Sequence, residues 1–120
     1  MDLRHALGLL GEQLAAQHLE RLGYVIVARR HRTRYGELDL VACDGDTLVF
    51  AEVKTCRVGF GDPWMNLHEI KQAKVRRMAS VWLSTVRDRP RFAAIRFDAI
   101  GVLVDDADQL VRLDHLEGAF

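Results

Sequence analysis

The chain has 120 residues, 49% of them hydrophobic, and a formal net charge of +0, which suits one compact domain over residues 1–120 and excludes a global electrostatic pull on a polyanion. Its two cysteines, Cys43 and Cys56, have neither a Cys-x-x-Cys spacing nor histidines placed for zinc, which argues against a disulfide scaffold and for a reducing cytoplasm. The N-terminus opens an amphipathic pattern and no apolar run approaches the ~20 residues of a membrane span, so a soluble protein with no membrane partner is expected.

In residues 3–22, Leu3, Leu7, Leu10, Leu14, Leu19 and Leu22 recur at helical spacing and Gly23 supplies a stop, which predicts a first helix. Glu12 lies at the border of that stripe beside Gly8, Gly11 and Ala15, small residues that let a helix approach another element closely. A carboxylate there reaches a sheet, unless it simply faces solvent. His18, near the centre of the apolar arc, reads as a packed histidine rather than a ligand. Residues 24–28, with Val25, Ile26 and Val27, read as a short buried strand that pairs with a hairpin over residues 36–55. Residues 29–35 read as a basic loop in which Arg29, Arg30, Arg32 and Arg34 interleave with His31 and Tyr35, a composition suited to phosphate contact by guanidinium groups.

The hairpin itself is signalled by two alternating runs that flank Asp44-Gly45-Asp46. Asp39 sits mid-strand, and Glu52 and Lys54, two apart on an otherwise apolar strand, share a face. A two-residue loop at Asp44-Gly45 pairs Asp39 with Phe50, diagonal to Glu52, whereas a four-residue loop from Asp44 to Thr47 sets Asp39 opposite Glu52. Either register leaves the two carboxylates on one face; a three-residue loop would separate them. Two converging carboxylates can hold Mg²⁺ or Mn²⁺ as hard oxygen ligands, and an ammonium beside them can orient a water and steady charge on a phosphate. That chemistry is metal-assisted phosphodiester hydrolysis. Glu37 fits an additional ligand and an exposed strand-end acid equally well.

Residues 55–63, with Gly59 and Gly61, read as a loop at the mouth of this site, with Phe60 and Trp64 weighted toward packing over base stacking. Asn66, with Glu69 three residues on, marks a capping box for a helix over 66–84 that buries Ile70, Ala73, Met78, Val81 and Trp82 and turns Lys71, Lys74, Arg76 and Arg77 outward. Residues 92–97 and 100–104 read as two further strands, and Leu110, Val111, Leu113 and Leu116 as a final strand or short packed segment. The cations before the hairpin and on the second helix, set against acids gathered from Asp98 to Glu117, give a neutral chain a basic face and make nucleic acid the expected partner. Ordinary solvated faces are the alternative. The element order predicts an α/β fold, a central mixed sheet of about five strands flanked by two helices.

Asp39 followed by Glu52-Val53-Lys54 resembles the PD-(D/E)xK nuclease signature of the restriction-endonuclease-like fold. The Gly36-Glu37-Leu38-Asp39-Leu40 and Glu52-Val53-Lys54 blocks are similar to those of the bacterial YraN-type family, related to archaeal Holliday junction resolvases. Gly11-Glu12, Gly23-Tyr24 and Gly59-Phe60-Gly61 ahead of a basic helix extend the resemblance over nearly the whole chain. Leu38 stands where the nuclease signature has proline, as the YraN-type pattern allows; Arg30 and Cys56 stand where that pattern usually has Asn and Arg. The resemblance implies a Mg²⁺-dependent (or Mn²⁺-dependent) endonuclease acting on DNA, branched or junction DNA included. Asp39 and Glu52 would be the metal ligands, Lys54 would act on the nucleophilic water, and Glu12 would be the auxiliary acid of the first helix. Arg30, Arg32, Arg34, Lys71, Lys74 and Arg77 would hold nucleic acid, Lys71 matching a helix lysine of the pattern. Because the resembled resolvases cut two strands as dimers, a homodimer is an open expectation. The competing expectation is a nucleic-acid-binding module that keeps the fold without turnover. A third, a structural ion pair of the acids with Lys54, is a weak route to stability.

Overall fold

The computed structural model describes residues 2–67 and 72–120. Its elements are α1 (Leu3–Arg21), β1 (Val25–Thr33), β2 (Gly36–Asp44), β3 (Thr47–Arg57), α2 (Pro63–Leu67), α3 (Gln72–Thr85), β4 (Ala94–Val104) and β5 (Leu110–Leu116). The strands form one sheet in the order β1-β2-β3-β4-β5, antiparallel except for the parallel β3–β4 pair. A parallel neighbour needs a connection long enough to cross back over the sheet, and the stretch carrying α2 and α3 supplies it. The fold is α/β with a five-stranded mixed sheet, as the element order predicts.

Alternation along the strands feeds two cores. Leu40, Ala42, Val49, Ala51 and Val102 pack beneath Ala15, Ala16 and Leu19 of α1. Val41, Leu48 and Phe50 pack on the other side against Val75, Met78, Ala79 and Trp82 of α3, with the Phe50 and Trp82 rings edge to face at 5.8 Å. The approach of α1 is set by Gly11: a Cβ added there would overlap the Thr55 hydroxyl of β3. That contact holds the next residue, Glu12, over the sheet. Gly23, at φ +94, ends α1 in the left-handed conformation the stop requires.

Several local expectations are corrected. Residues 29–33 are strand, not loop, because β1 is an edge strand whose arginines can face solvent on either side while its backbone pairs with β2. The helical region opens earlier than Asn66: Asp62 accepts the Trp64 N–H at 2.9 Å and Pro63 takes the first helical position, a start that proline's fixed φ favours. Asn66 therefore lies inside α2, and the capping Glu69 falls outside the described residues, as do Ile70 and Lys71. In α3 the buried positions include Val75 and Ala79, while Ala73 is exposed. The two strands expected over 92–97 and 100–104 are one, β4, since Asp98 between them is buried and bonded within the fold. Trp64 is tied by its indole N–H to Asp114 at 2.9 Å; Phe60, expected to pack, is 80% exposed.

Candidate active site where two strands part

The β2–β3 ladder runs from Asp44↔Thr47 to Leu40↔Ala51. Residues 45–46 close the turn, with Gly45 at φ +61 in the first position, the type II′ pattern. This is the register of the wider-loop alternative, tightened by one more pair, and its next step would set Asp39 opposite Glu52. There the regular ladder stops. Oδ2 of Asp39 accepts the Val53 N–H at 2.8 Å, so the side chain takes a donor that backbone pairing would otherwise use. Alternation breaks at the same point: Leu40 and Ala42 lie in the core beneath α1, but Leu38, two residues before Leu40, packs in the core beneath α3.

Where the strands part, both helical layers reach the acids. From α1 comes Glu12, whose Oε2 lies 3.7 Å from Nε of Arg30. Arg30 is flanked by the His31↔Leu38 and Arg29↔Leu40 pairs and therefore faces Asp39, with its backbone at φ +47, a costly conformation for a residue with a Cβ. From α3 comes Lys74: a Cβ placed on Gly36 would stand 3.0 Å from its Cε and 3.3 Å from its Nζ. Its charge is felt at Glu52. Lys54 follows Glu52 by two residues on the same strand and lowers the proton affinity of both Asp39 and Glu52.

All three acids hold protons more tightly than free carboxyls do, chiefly because burial penalises their charged forms. Burial pushes Glu12 up to about 7, with the Asp39 charge adding to the effect and Arg30 opposing it. Burial likewise raises Asp39 and Glu52, and for Glu52 the neighbouring Asp39 charge raises it further; Lys54 offsets only part of this. Oε2 of Glu12 and Oε2 of Glu52 are both buried without a hydrogen-bond partner. An unsatisfied buried polar atom costs roughly 1–3 kcal/mol, more when charged, and calls for an explanation. Two things would satisfy such hard oxygen donors: a proton shared with Asp39, which neighbours both glutamates, or a divalent cation. Among the described residues no three His, Cys, Asp or Glu side chains form a ready metal cage; Mg²⁺ characteristically takes one or two carboxylates and completes its shell with water and substrate oxygens.

These shifts fix a sign. For each of the three acids the folded-state value lies above the unfolded one, so the native state holds more protons than the unfolded chain. Their contribution to stability is complete below about pH 4, where both states are protonated, and is lost as pH rises through the raised values. Metal-free wild type is therefore expected to lose more stability between pH 5 and 8.5 than Glu12→Gln or Glu52→Gln, read as urea midpoints in chelator. Parallel pH profiles in wild type and both variants would rule out charge repulsion among these acids.

The remaining expected contacts divide. Arg32 is 3.8 Å from Glu37 at an exposed position. Arg34 and Arg77 both stand over the Tyr35 ring, at 4.9 and 6.0 Å from its centroid. Lys71 lies outside the described residues.

A second polar cluster has no counterpart among the sequence-based expectations. Asp98 on β4 is wholly buried. Arg96 grips it with two hydrogen bonds of 2.8 Å, His115 Nε2 lies 2.8 Å from Oδ2, and the Gly118 N–H donates to Oδ1 at 3.1 Å. Arg96 also donates to the Tyr24 hydroxyl at 2.6 Å and to Asp44 at 3.2 Å. Since a carboxylate only accepts, His115 donates through Nε2, and its Nδ1 is left to accept from His18 Nε2 at 3.2 Å. His18 is thus one end of a chain joining α1, β4 and β5. Burial, and then the neighbouring His115, lower its proton affinity. The only signal in sequence is Arg96-x-Asp98, charges two apart in an apolar run, together with two distant histidines.

The family model described as "Uncharacterised protein family UPF0102" matches residues 11–102, which span α1 from Gly11 to most of β4. A UPF0102 protein of Acidothermus cellulolyticus is 44% identical over 126 residues, covering 98% of this chain and 95% of its own. One from Nocardia farcinica is 46% identical, covering 98% and 91%, and one from Geobacter sulfurreducens 44% identical, covering 95% and 88%.

Proposed function

We propose that this chain, which belongs to the uncharacterised protein family UPF0102, is a metal-dependent endonuclease of restriction-endonuclease-like architecture that hydrolyses phosphodiester bonds of DNA in the cytoplasm. The observation that carries the reading is the convergence of three partly buried acids, Glu12, Asp39 and Glu52, where β2 and β3 separate, with Oε2 of Glu12 and of Glu52 buried and accepting no hydrogen bond from an N–H or hydroxyl donor. No helix among the described residues is long and apolar enough to cross a membrane.

In this reading Asp39 and Glu52 would hold Mg²⁺ or Mn²⁺, which when bound would supply Lewis-acid polarisation and make the attacking water easier to deprotonate. Asp39 is positioned by its hydrogen bond from the Val53 N–H, which fixes the carboxylate where β2 and β3 part. Glu12 completes the acid cluster from α1, with Arg30 steadying its charge. Lys54 Nζ orients the attacking water and offsets charge on a non-bridging phosphate oxygen. Lys74 brings a second ammonium toward Glu52 from α3. The products are a phosphate monoester and a free hydroxyl, with the water's proton passing to solvent.

A nucleic-acid-binding module without turnover is the second reading, favoured by the arginines Arg34 and Arg77 beside the Tyr35 ring, which suit backbone contact whether or not a metal binds. The experiment that separates them is incubation of the pure chain with branched, duplex and single-stranded DNA and with RNA, in Mg²⁺, Mn²⁺ or chelator. Cleavage of one class in metal and none in chelator is the expected result; binding without cleavage under every condition leaves the module.

A further inference from the structure

The cations expected to hold nucleic acid are not equivalent. Arg30 and Arg32 sit near Glu12 and Glu37, so part of their charge is already answered inside the protein. Among the described residues no carboxylate comes within ion-pair distance of Arg34, Arg76 or Arg77. These three line one groove of about 450 Å³ with Tyr35, Ser80 and Ser84, between the β1–β2 turn and the outer flank of α3. Tyr35 does not offer its ring to a base. The Arg34 guanidinium stands 4.9 Å from its centroid and that of Arg77 6.0 Å, so the ring is a platform holding two cations from different elements at a fixed separation.

Lys74, Arg77, Val81 and Ser84 follow one another at helical spacing along α3, with Lys74 at the acid cluster and Ser84 at the far end. Ten residues of helix are about 15 Å, roughly four nucleotides of a B-form strand at 3.4 Å each. We propose that this groove is a track for a nucleic-acid backbone. On this assignment one strand runs from the acid cluster along α3, its phosphates held by Lys74, Arg77 and Arg34 with Ser80 as a hydroxyl donor; the Ser84 hydroxyl already donates to the Val81 carbonyl at 3.0 Å and only borders the track. The track reads the backbone and not the bases, because the one aromatic ring lining it, Tyr35, is already engaged by the Arg34 and Arg77 guanidinium groups. This assignment rests on the nucleic-acid reading above but not on turnover.

The test is equilibrium binding in chelator, by fluorescence anisotropy across a salt series, with two single strands of equal length: an ordinary oligonucleotide, and one whose bases are replaced by abasic spacers over the bound stretch. In wild type the two strands are expected to bind alike. Arg34→Ala/Arg77→Ala is expected to flatten the plot of log affinity against log salt by roughly one unit per arginine. Arg34→Lys/Arg77→Lys is expected to restore the slope, which a folding defect would not allow. An unchanged slope in the alanine pair overturns the track. So does a loss of about tenfold or more on removing the bases, the scale of one base–aromatic stack. Salt-steep, base-independent binding with no cleavage in metal would sink the enzyme reading and leave the track standing; metal-dependent cleavage with an unchanged slope would do the reverse.

Discussion

Asp39→Asn, Glu52→Gln and Lys54→Ala are each expected to lower metal-dependent cleavage by at least about a hundredfold, the range seen when one charged or donating group is removed from a reacting centre. Asn and Gln preserve shape but remove the negative charge a divalent cation needs, and Asp39→Asn also weakens the acceptor that holds the Val53 N–H. Lys54→Ala should retain binding, since the track along α3 and the other cations are untouched. Residues acting as one unit give non-additive losses, so the double variant Asp39→Asn/Glu52→Gln is expected to be little worse than either alone. Single-turnover rates at saturating metal are the measurement. Undiminished cleavage in Glu52→Gln would point to a contaminant or a different site.

The second large effect belongs to stability. Asp98→Ala is expected to cost about 3–5 kcal/mol, the range for breaking a buried charge pair by removing one partner, against a total of roughly 5–15 kcal/mol for a domain of this kind. Burial alone would raise the Asp98 carboxyl, but the hydrogen bonds from His115, Arg96 and the Gly118 N–H outweigh it and hold the group at about 2. The folded value therefore lies below the unfolded one, so this contribution is present above about pH 4 and is lost as pH falls through about 2. Urea denaturation of wild type and variant should show a wide gap at pH 7 that narrows toward pH 2.5. A gap under about 1 kcal/mol at pH 7 would mean that Arg96, His115 and Gly118 find other partners at no cost.

Much of the fold was legible because its signals are local and periodic. The leucine spacing of α1, the Gly23 stop and the Asp44-Gly45-Asp46 turn each rest on chemistry within a few residues. The hairpin register stood open between two loops, both of which put the two acids on one face; the register found is that of the wider loop, with a tighter turn. What escaped was long-range. Arg29 to Thr33 read as loop because their charge speaks against a strand, and only edge placement beside β2 reconciles the two. Asp98 read as a break between strands because its partners Tyr24, His115 and Gly118 are remote in sequence. The parting of β2 and β3 at Asp39 is a break in alternation that the alternating pattern itself conceals.

The most direct test of the metal site needs no substrate. Thermal melts of wild type and Asp39→Asn should be compared in chelator and across a titration of Mg²⁺ and of Mn²⁺ at pH 7.5. Without metal, three partly buried acids repel one another, so Asp39→Asn is expected to melt at or above wild type. With metal, a ligand bound only by the folded state adds about 2.7 kcal/mol at 100 times its dissociation constant, so the wild-type melting temperature should climb with concentration while that of the variant stays nearly flat. A strongly destabilised Asp39→Asn in chelator, together with a wild-type melting temperature indifferent to both metals, would contradict the account and show these acids to be holding the fold together instead of holding a cation.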